Sequence, residues 1–336
     1  MRKVSFAGII GIALILAPQA VASTVTVTGG NTIKVAESGN EINRVAVSYV
    51  AATNVYSVAD AAANLTPNGT CTAVNAHTAS CPGMGIKTIS VDTGGRDDSI
   101  ALDQSIPSTA AGDLDGGPGN DTLIGSPSAD KLRGGSGKDS LDGRDGADDI
   151  GGGSGTDALV YPATRQNPVI VTIGSGTGND GGPEDQTGDR RDTVQGDIEV
   201  VFGTIGNDVL VGDRSSETLF GLGGDDVLFG NRGNDTLLGF DGGDLFIGGP
   251  GNDTARGGPG DDRLFGKAGG DRLAGGPDND FLRGGSGADV MKGKTGIDRI
   301  NAHDGERDIK INCGPGSKGA ESAKRDRHLD PRPRSC

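Results

Sequence analysis

From residue 116 onward the apolar positions return every nine residues. They fall at Leu123, Leu132, Leu141, Ile150 and Leu159. They resume at Leu210, Leu219, Leu228, Leu237, Phe246, Ala255, Leu264, Leu273, Leu282, Met291 and Ile300. Six mostly polar residues, opening on glycine, precede each short apolar stretch. This spacing matches neither the helical period of about 3.6 nor the strand period of about 2. It predicts a turn followed by a short strand. Glycine at the first and fourth places permits left-handed backbone and close approach, and the aspartate at the sixth suits a turn. The seventh to ninth places then form a strand whose eighth residue points inward.

The phase is strict. The first block reads GGPGNDTLI, GSPSADKLR, GGSGKDSLD, GRDGADDIG and GGSGTDALV, from Gly116 to Val160. The second block runs from Gly203 to Asn301: GTIGNDVLV, GDRSSETLF, GLGGDDVLF, GNRGNDTLL, GFDGGDLFI, GGPGNDTAR, GGPGDDRLF, GKAGGDRLA, GGPDNDFLR, GGSGADVMK and GKTGIDRIN. Every unit opens on glycine, and the sixth place is aspartate except at Glu217. Two units make a coil of 18 residues, and stacked coils give two parallel sheets with strands about 4.8 Å apart. The prediction is an all-β chain, a parallel β-roll (β-solenoid). One inward ladder runs Leu210, Leu228, Phe246, Leu264, Leu282, Ile300; the other runs Leu219, Leu237, Ala255, Leu273, Met291.

The remaining segments divide the chain. Residues 1–22 read as a secretory signal: Arg2 and Lys3, an apolar run Val4 to Ala17, and the small-x-small site Ala20-Val21-Ala22. The mature chain then starts at Ser23, with no membrane span. Residues 23–115 are expected to form a β-rich N-terminal cap, with strands over Thr24–Thr28, Arg44–Tyr49 and Lys87–Val91 and a degenerate repeat at Gly94–Ile100. Residues 161–202 are an insert with strands at Val169–Ile173 and Ile198–Val201 around an acidic, Gly-rich loop. Residues 302–336 form a C-terminal cap and basic tail. Caps are required because a solenoid otherwise ends in open sheet edges. Of the three possible pairings of four cysteines, the local ones are preferred: Cys71 with Cys81, and Cys313 with Cys336.

Charge then directs attention to the sixth place. The formal net charge is −15, which disfavours nucleic acid as a partner. One aliphatic side chain per nine residues is little burial against the entropy of ordering them. Stacking also brings sixth-place aspartates together, and two carboxylates at ~5 Å repel by about 1 kcal/mol even in water. A cation between turns removes the conflict. Calcium accepts six to eight oxygen ligands in irregular geometry, whereas zinc or softer metals want Cys or His, which the repeats lack. The candidate ligands are Asp121, Asp130, Asp139, Asp148 and Asp157, then Asp208, Asp226, Asp235, Asp244, Asp253, Asp262, Asp271, Asp280, Asp289 and Asp298.

These units resemble the RTX (repeats-in-toxin, hemolysin-type) calcium-binding nonapeptide G-G-x-G-x-D-x-U-x, U being a large aliphatic residue. The resemblance covers roughly half of the chain. It implies a calcium-bound parallel β-roll with each ion shared between turns of repeats n and n+2. The implied pairs are Asp121 with Asp139, Asp130 with Asp148, Asp139 with Asp157, and Asp226 with Asp244 onward to Asp280 with Asp298. Where Ser128, Ser215 or Asp278 replaces the fourth glycine, weaker or missing sites are expected.

Two catalytic look-alikes fail. Gly176-x-Gly178-x-x-Gly181 is followed by Gly182, Pro183 and Glu184, which oppose both a helix and a pyrophosphate. Gly293-Lys294-Thr295 lacks the earlier glycine of a P-loop, having Ala288 there. The reading is a secreted, extracellular or cell-surface, non-catalytic calcium-binding protein; its protein or polysaccharide partner is not named by the sequence. The alternatives are a calcium-dependent polysaccharide-active enzyme on a β-solenoid, or an RTX adhesin or toxin module.

Overall fold

A computed structural model describes residues 23–36, 42–162, 165–174, 192–302, 308, 310–312 and 322–325. The described residues hold strands and turns and no helix, so no helix long and apolar enough to cross a membrane occurs among them. Within the repeats every pairing is parallel, and registers are offset by one coil of 18 residues: Leu114 faces Leu132, Leu228 faces Phe246, and Leu219 faces Leu237. Both predicted ladders are present. Their side chains are 0–2 % exposed and form one continuous apolar core between the sheets.

The strands make three sheets rather than two. One sheet of 15 strands runs the length of the stack; the opposite side is shared by two sheets of eight strands each. The insert causes the split. Its Thr193–Val194 pairs onto Asp149–Gly155 and closes the first short sheet, while its Ile170–Thr172 pairs with Val209–Val211 and opens the second. On the long side Val200–Phe202 takes the place of a repeat strand, between Ala158–Val160 and Thr218–Gly223. The two repeat blocks therefore belong to one roll.

The N-terminal region uses the same core. Val35 aligns with Val91, which aligns with Leu114; Val45 aligns with Ile100, which aligns with Leu123. The end of the long sheet is closed by antiparallel strands Val55–Asp60, Thr78–Pro82 and Thr72–Asn75. Cys71 and Cys81 form a disulfide there, and both are buried. The Cys313–Cys336 pairing, the acidic loop and most of the basic tail lie outside the described residues.

Candidate metal centre

The turns build the site from the backbone outward. In the unit 257–265, Gly258 and Gly260 have φ of 133° and 135°. A Cβ on either would overlap a carbonyl oxygen of the preceding coil, that of Phe240 or of Gly242. Side-chain-free backbone thus lets carbonyl groups of successive turns stack closely.

The sixth-place carboxylates point inward from these turns. All fifteen candidate aspartates are at most 3 % exposed. One oxygen of twelve of them accepts a hydrogen bond from the backbone N–H of the sixth-place residue one coil earlier, while Asp121, Asp130 and Asp208 accept from the N–H groups of Asp98, Gly112 and Val169. Asp121 donates to Asp139 at 2.8 Å, Asp130 to Asp148 at 2.8 Å, Asp139 to Asp157 at 2.9 Å, Asp226 to Asp244 at 2.8 Å, and Asp280 to Asp298 at 3.0 Å. Every pair implied by the resemblance is brought together. Asp208 with Asp226, Asp235 with Asp253 and Asp271 with Asp289 are joined in the same way.

The second oxygen has a different environment. For Asp121, Asp139, Asp157, Asp226, Asp235, Asp244, Asp253, Asp262, Asp271 and Asp280 it is buried and receives no hydrogen bond. It lies against the first-place glycine of its own unit, beside a carbonyl one coil on. A Cβ on Gly230 would meet both Asp235 Oδ2 and, at 2.8 Å, the Gly248 oxygen. Oxygen atoms gathered without donors are unfavourable in a dry interior. The titration behaviour reflects this. Burial raises Asp226 and Asp262 to about 8 and Asp121, Asp271 and Asp280 to about 7, and carboxylates of neighbouring turns push in the same direction.

An all-oxygen cradle of carboxylate and carbonyl fits calcium. Among the described residues no three His, Cys, Asp or Glu side chains gather as a metal cluster. A cation between turns would therefore draw mainly on paired carboxylates and backbone carbonyls. His77, the one described histidine, has Nδ1 2.9 Å from the Ala63 carbonyl oxygen, in the N-terminal region.

The rows extend beyond the predicted residues. Asp98 accepts from Asn43 N–H at 2.6 Å and its own N–H donates to Asp121. Asp148 N–H donates to Asp192, Asp157 N–H to Glu199 at 2.8 Å, and Asp289 N–H to Asp308 at 3.1 Å. Glu217 N–H donates to Asp235, and burial lifts the Glu217 carboxyl to about 8. An acid two residues before an aliphatic one marks Asp98-Ser99-Ile100, Asp192-Thr193-Val194 and Glu199-Val200-Val201 in the sequence. Their irregular spacing hides them from a nine-residue scan.

The turns expected to be weak diverge. Asp278 adopts φ 78°, the region glycine takes elsewhere, so the 275–283 turn keeps its form and Asp280 its open oxygen. In the 125–133 turn, Ser126 and Ser128 hydrogen-bond to Asp130.

The profile for the RTX calcium-binding nonapeptide repeat (4 copies) matches residues 112–137, 124–159, 201–237, 238–273 and 265–300. Over residues 112–159 and 201–300 the chain is thus built of RTX calcium-binding repeats. Curated protein sequences give no match to the chain.

Proposed function

We propose that this chain is an exported, non-catalytic calcium-binding protein in which calcium held between stacked turns drives the roll to fold. The observation that carries the reading is the row of buried carboxylate oxygens, each without a hydrogen-bond donor, in the phase of the RTX repeat. Bound calcium would supply charge neutralisation there. The chain's own part is to present one carboxylate oxygen inward while the other is fixed by a backbone N–H.

Calcium titration of the chelator-treated chain is expected to raise the β signal in circular dichroism cooperatively, with a midpoint near ~10⁻⁴–10⁻³ M as for extracellular modules. A spectrum that chelator leaves unchanged would remove the reading. The Cys71–Cys81 disulfide supports an oxidising, exported setting; recovery from the medium of a chain beginning at Ser23 tests it.

A groove along the long sheet is lined by Arg256, Lys292 and Lys294, whereas others hold Asp142 with Asp145 or Asp261 with Asp262. Sugar-release assays on polysaccharides with calcium present test the enzymatic alternative.

A further inference from the structure

Asp130 and Asp208 differ from the ten candidate aspartates whose second oxygen receives no hydrogen bond. Both carboxylate oxygens of Asp130 and of Asp208 are hydrogen-bonded within the protein. Asp130 accepts from Gly112 N–H, from the N–H and hydroxyl of Ser126, and from the Ser128 hydroxyl. Asp208 accepts from Val169 N–H at 2.7 Å, from Thr204 N–H at 2.5 Å, and from the Thr204 hydroxyl at 3.0 Å.

Ser126 and Thr204 occupy the second place of their units. Elsewhere that place is commonly left-handed, even for Leu222 (φ 83°) or Lys267 (φ 86°). Ser126 and Thr204 do not adopt that conformation. Their N–H groups turn instead onto the carboxylate of their own unit, and the hydroxyl follows. A second-place residue without a hydroxyl does not complete this arrangement. Asp213 N–H reaches Glu217 Oε2 at 3.3 Å, yet Glu217 Oε1 stays without a donor.

We infer that the 125–130 and 203–208 turns are closed without calcium, the second-place hydroxyl and N–H serving in place of the ion. This rests on the calcium reading above and corrects it at Asp130 and Asp208. The placement gives the device a purpose. Asp130 receives the Gly112 N–H at the head of its row, and Asp208 receives the Val169 N–H at the head of the row that continues through Asp226. These two rows therefore start on a turn whose carboxylate oxygens are already satisfied by donors, a template on which ion-dependent turns can stack.

Native mass spectrometry of the full chain at saturating calcium reads the number of ions bound. S126G and T204G are each expected to bind one ion more than the unaltered chain, S126T the same number, and D130N and D208N the same number, whereas D262N loses at least one. Circular dichroism in calcium checks that each variant is folded; if the glycine variants are not, the D130N, D208N and D262N comparison decides alone. Loss of an ion in D130N or D208N, or no gain in folded S126G and T204G, overturns the inference. An unaltered chain that binds no calcium would instead overturn the calcium reading itself.

Discussion

Second-place residues hold backbone conformations that L-amino acids rarely adopt. Arg144, Leu222, Asn231, Phe240, Lys267 and Lys294 have φ from 67° to 91°. For a side chain other than Gly, Asn or Asp this costs about 1–2 kcal/mol. Lys294→Gly is accordingly expected to stabilise the roll by about 1 kcal/mol after the entropy glycine adds to the unfolded chain, or ~2–4 °C in a thermal melt. A lower melting temperature would contradict the strain argument. The carboxylates give a second expectation at this scale. Burial raises Asp235 and Asp244 to about 6, and Asp226 and Asp262 to about 8. A carboxyl whose folded value lies above its unfolded value of ~3.9 holds more protons in the native state. Its contribution favours folding in acid and is lost as pH rises through the folded value. The calcium-free roll is thus expected to be most stable in acid and to weaken from about pH 4 to 8, opposite to the usual aspartate case. Thermal melts of calcium-depleted protein across this range check it; stability rising with pH would be the contrary result.

Along the strands, the inward eighth places behave as a volume that two sheets share. Most coils set one large aliphatic residue on each side. Phe246 and Ala255 are successive inward residues on opposite sheets, and both are buried, at 0 and 2 % exposure. The larger ring of Phe246 thus offsets part of the volume given up at Ala255. Phe246→Leu and Ala255→Leu singly are each expected to cost about 1–3 kcal/mol, by cavity and by overpacking. The double variant should return to within about 1 kcal/mol of the parent, a coupling read from denaturant melts of all four proteins. Additive losses would show that the two sites do not share space. Such ladders were legible in the sequence because an unbroken nine-residue phase fixes which residue points inward and which carboxylates meet. The insert was not legible beyond its strands: Asp192 and Glu199 join rows across 44 and 42 residues, separations that no local period records. Nor does spacing show that Ser126 and Thr204 close their own turns, since that depends on where a backbone N–H points. Asp98 sat within reach, in a degenerate repeat whose fourth place is Arg96, at φ 99°.

At the scale of the whole molecule, stacking couples each coil chiefly to its neighbours, as in other solenoids, so the weakest joint sets how far cooperativity extends. That joint lies at the insert. The short sheets end on one side of it and begin on the other, joined among the described residues by the Gly174 N–H on the Val194 carbonyl oxygen, and the long sheet crosses through Leu159, Val201 and Leu219 in register. Val201 is fully buried there. A single continuous ladder predicts one thermal transition for the parent chain in saturating calcium. Val201→Asp places a charge in the core at the joint, where an unpaired carboxylate is costly, and is expected to split the melt into two transitions, one for each block. Val171→Asp is the control. Val171 is equally buried, but it pairs with Leu210 in the terminal strand of the second short sheet, so fraying of that end with a single main transition is expected. Scanning calorimetry of the three proteins distinguishes these outcomes. Two transitions in the parent would mean that the long sheet does not couple the blocks, and one sharp transition in Val201→Asp would mean that the coupling runs by another route.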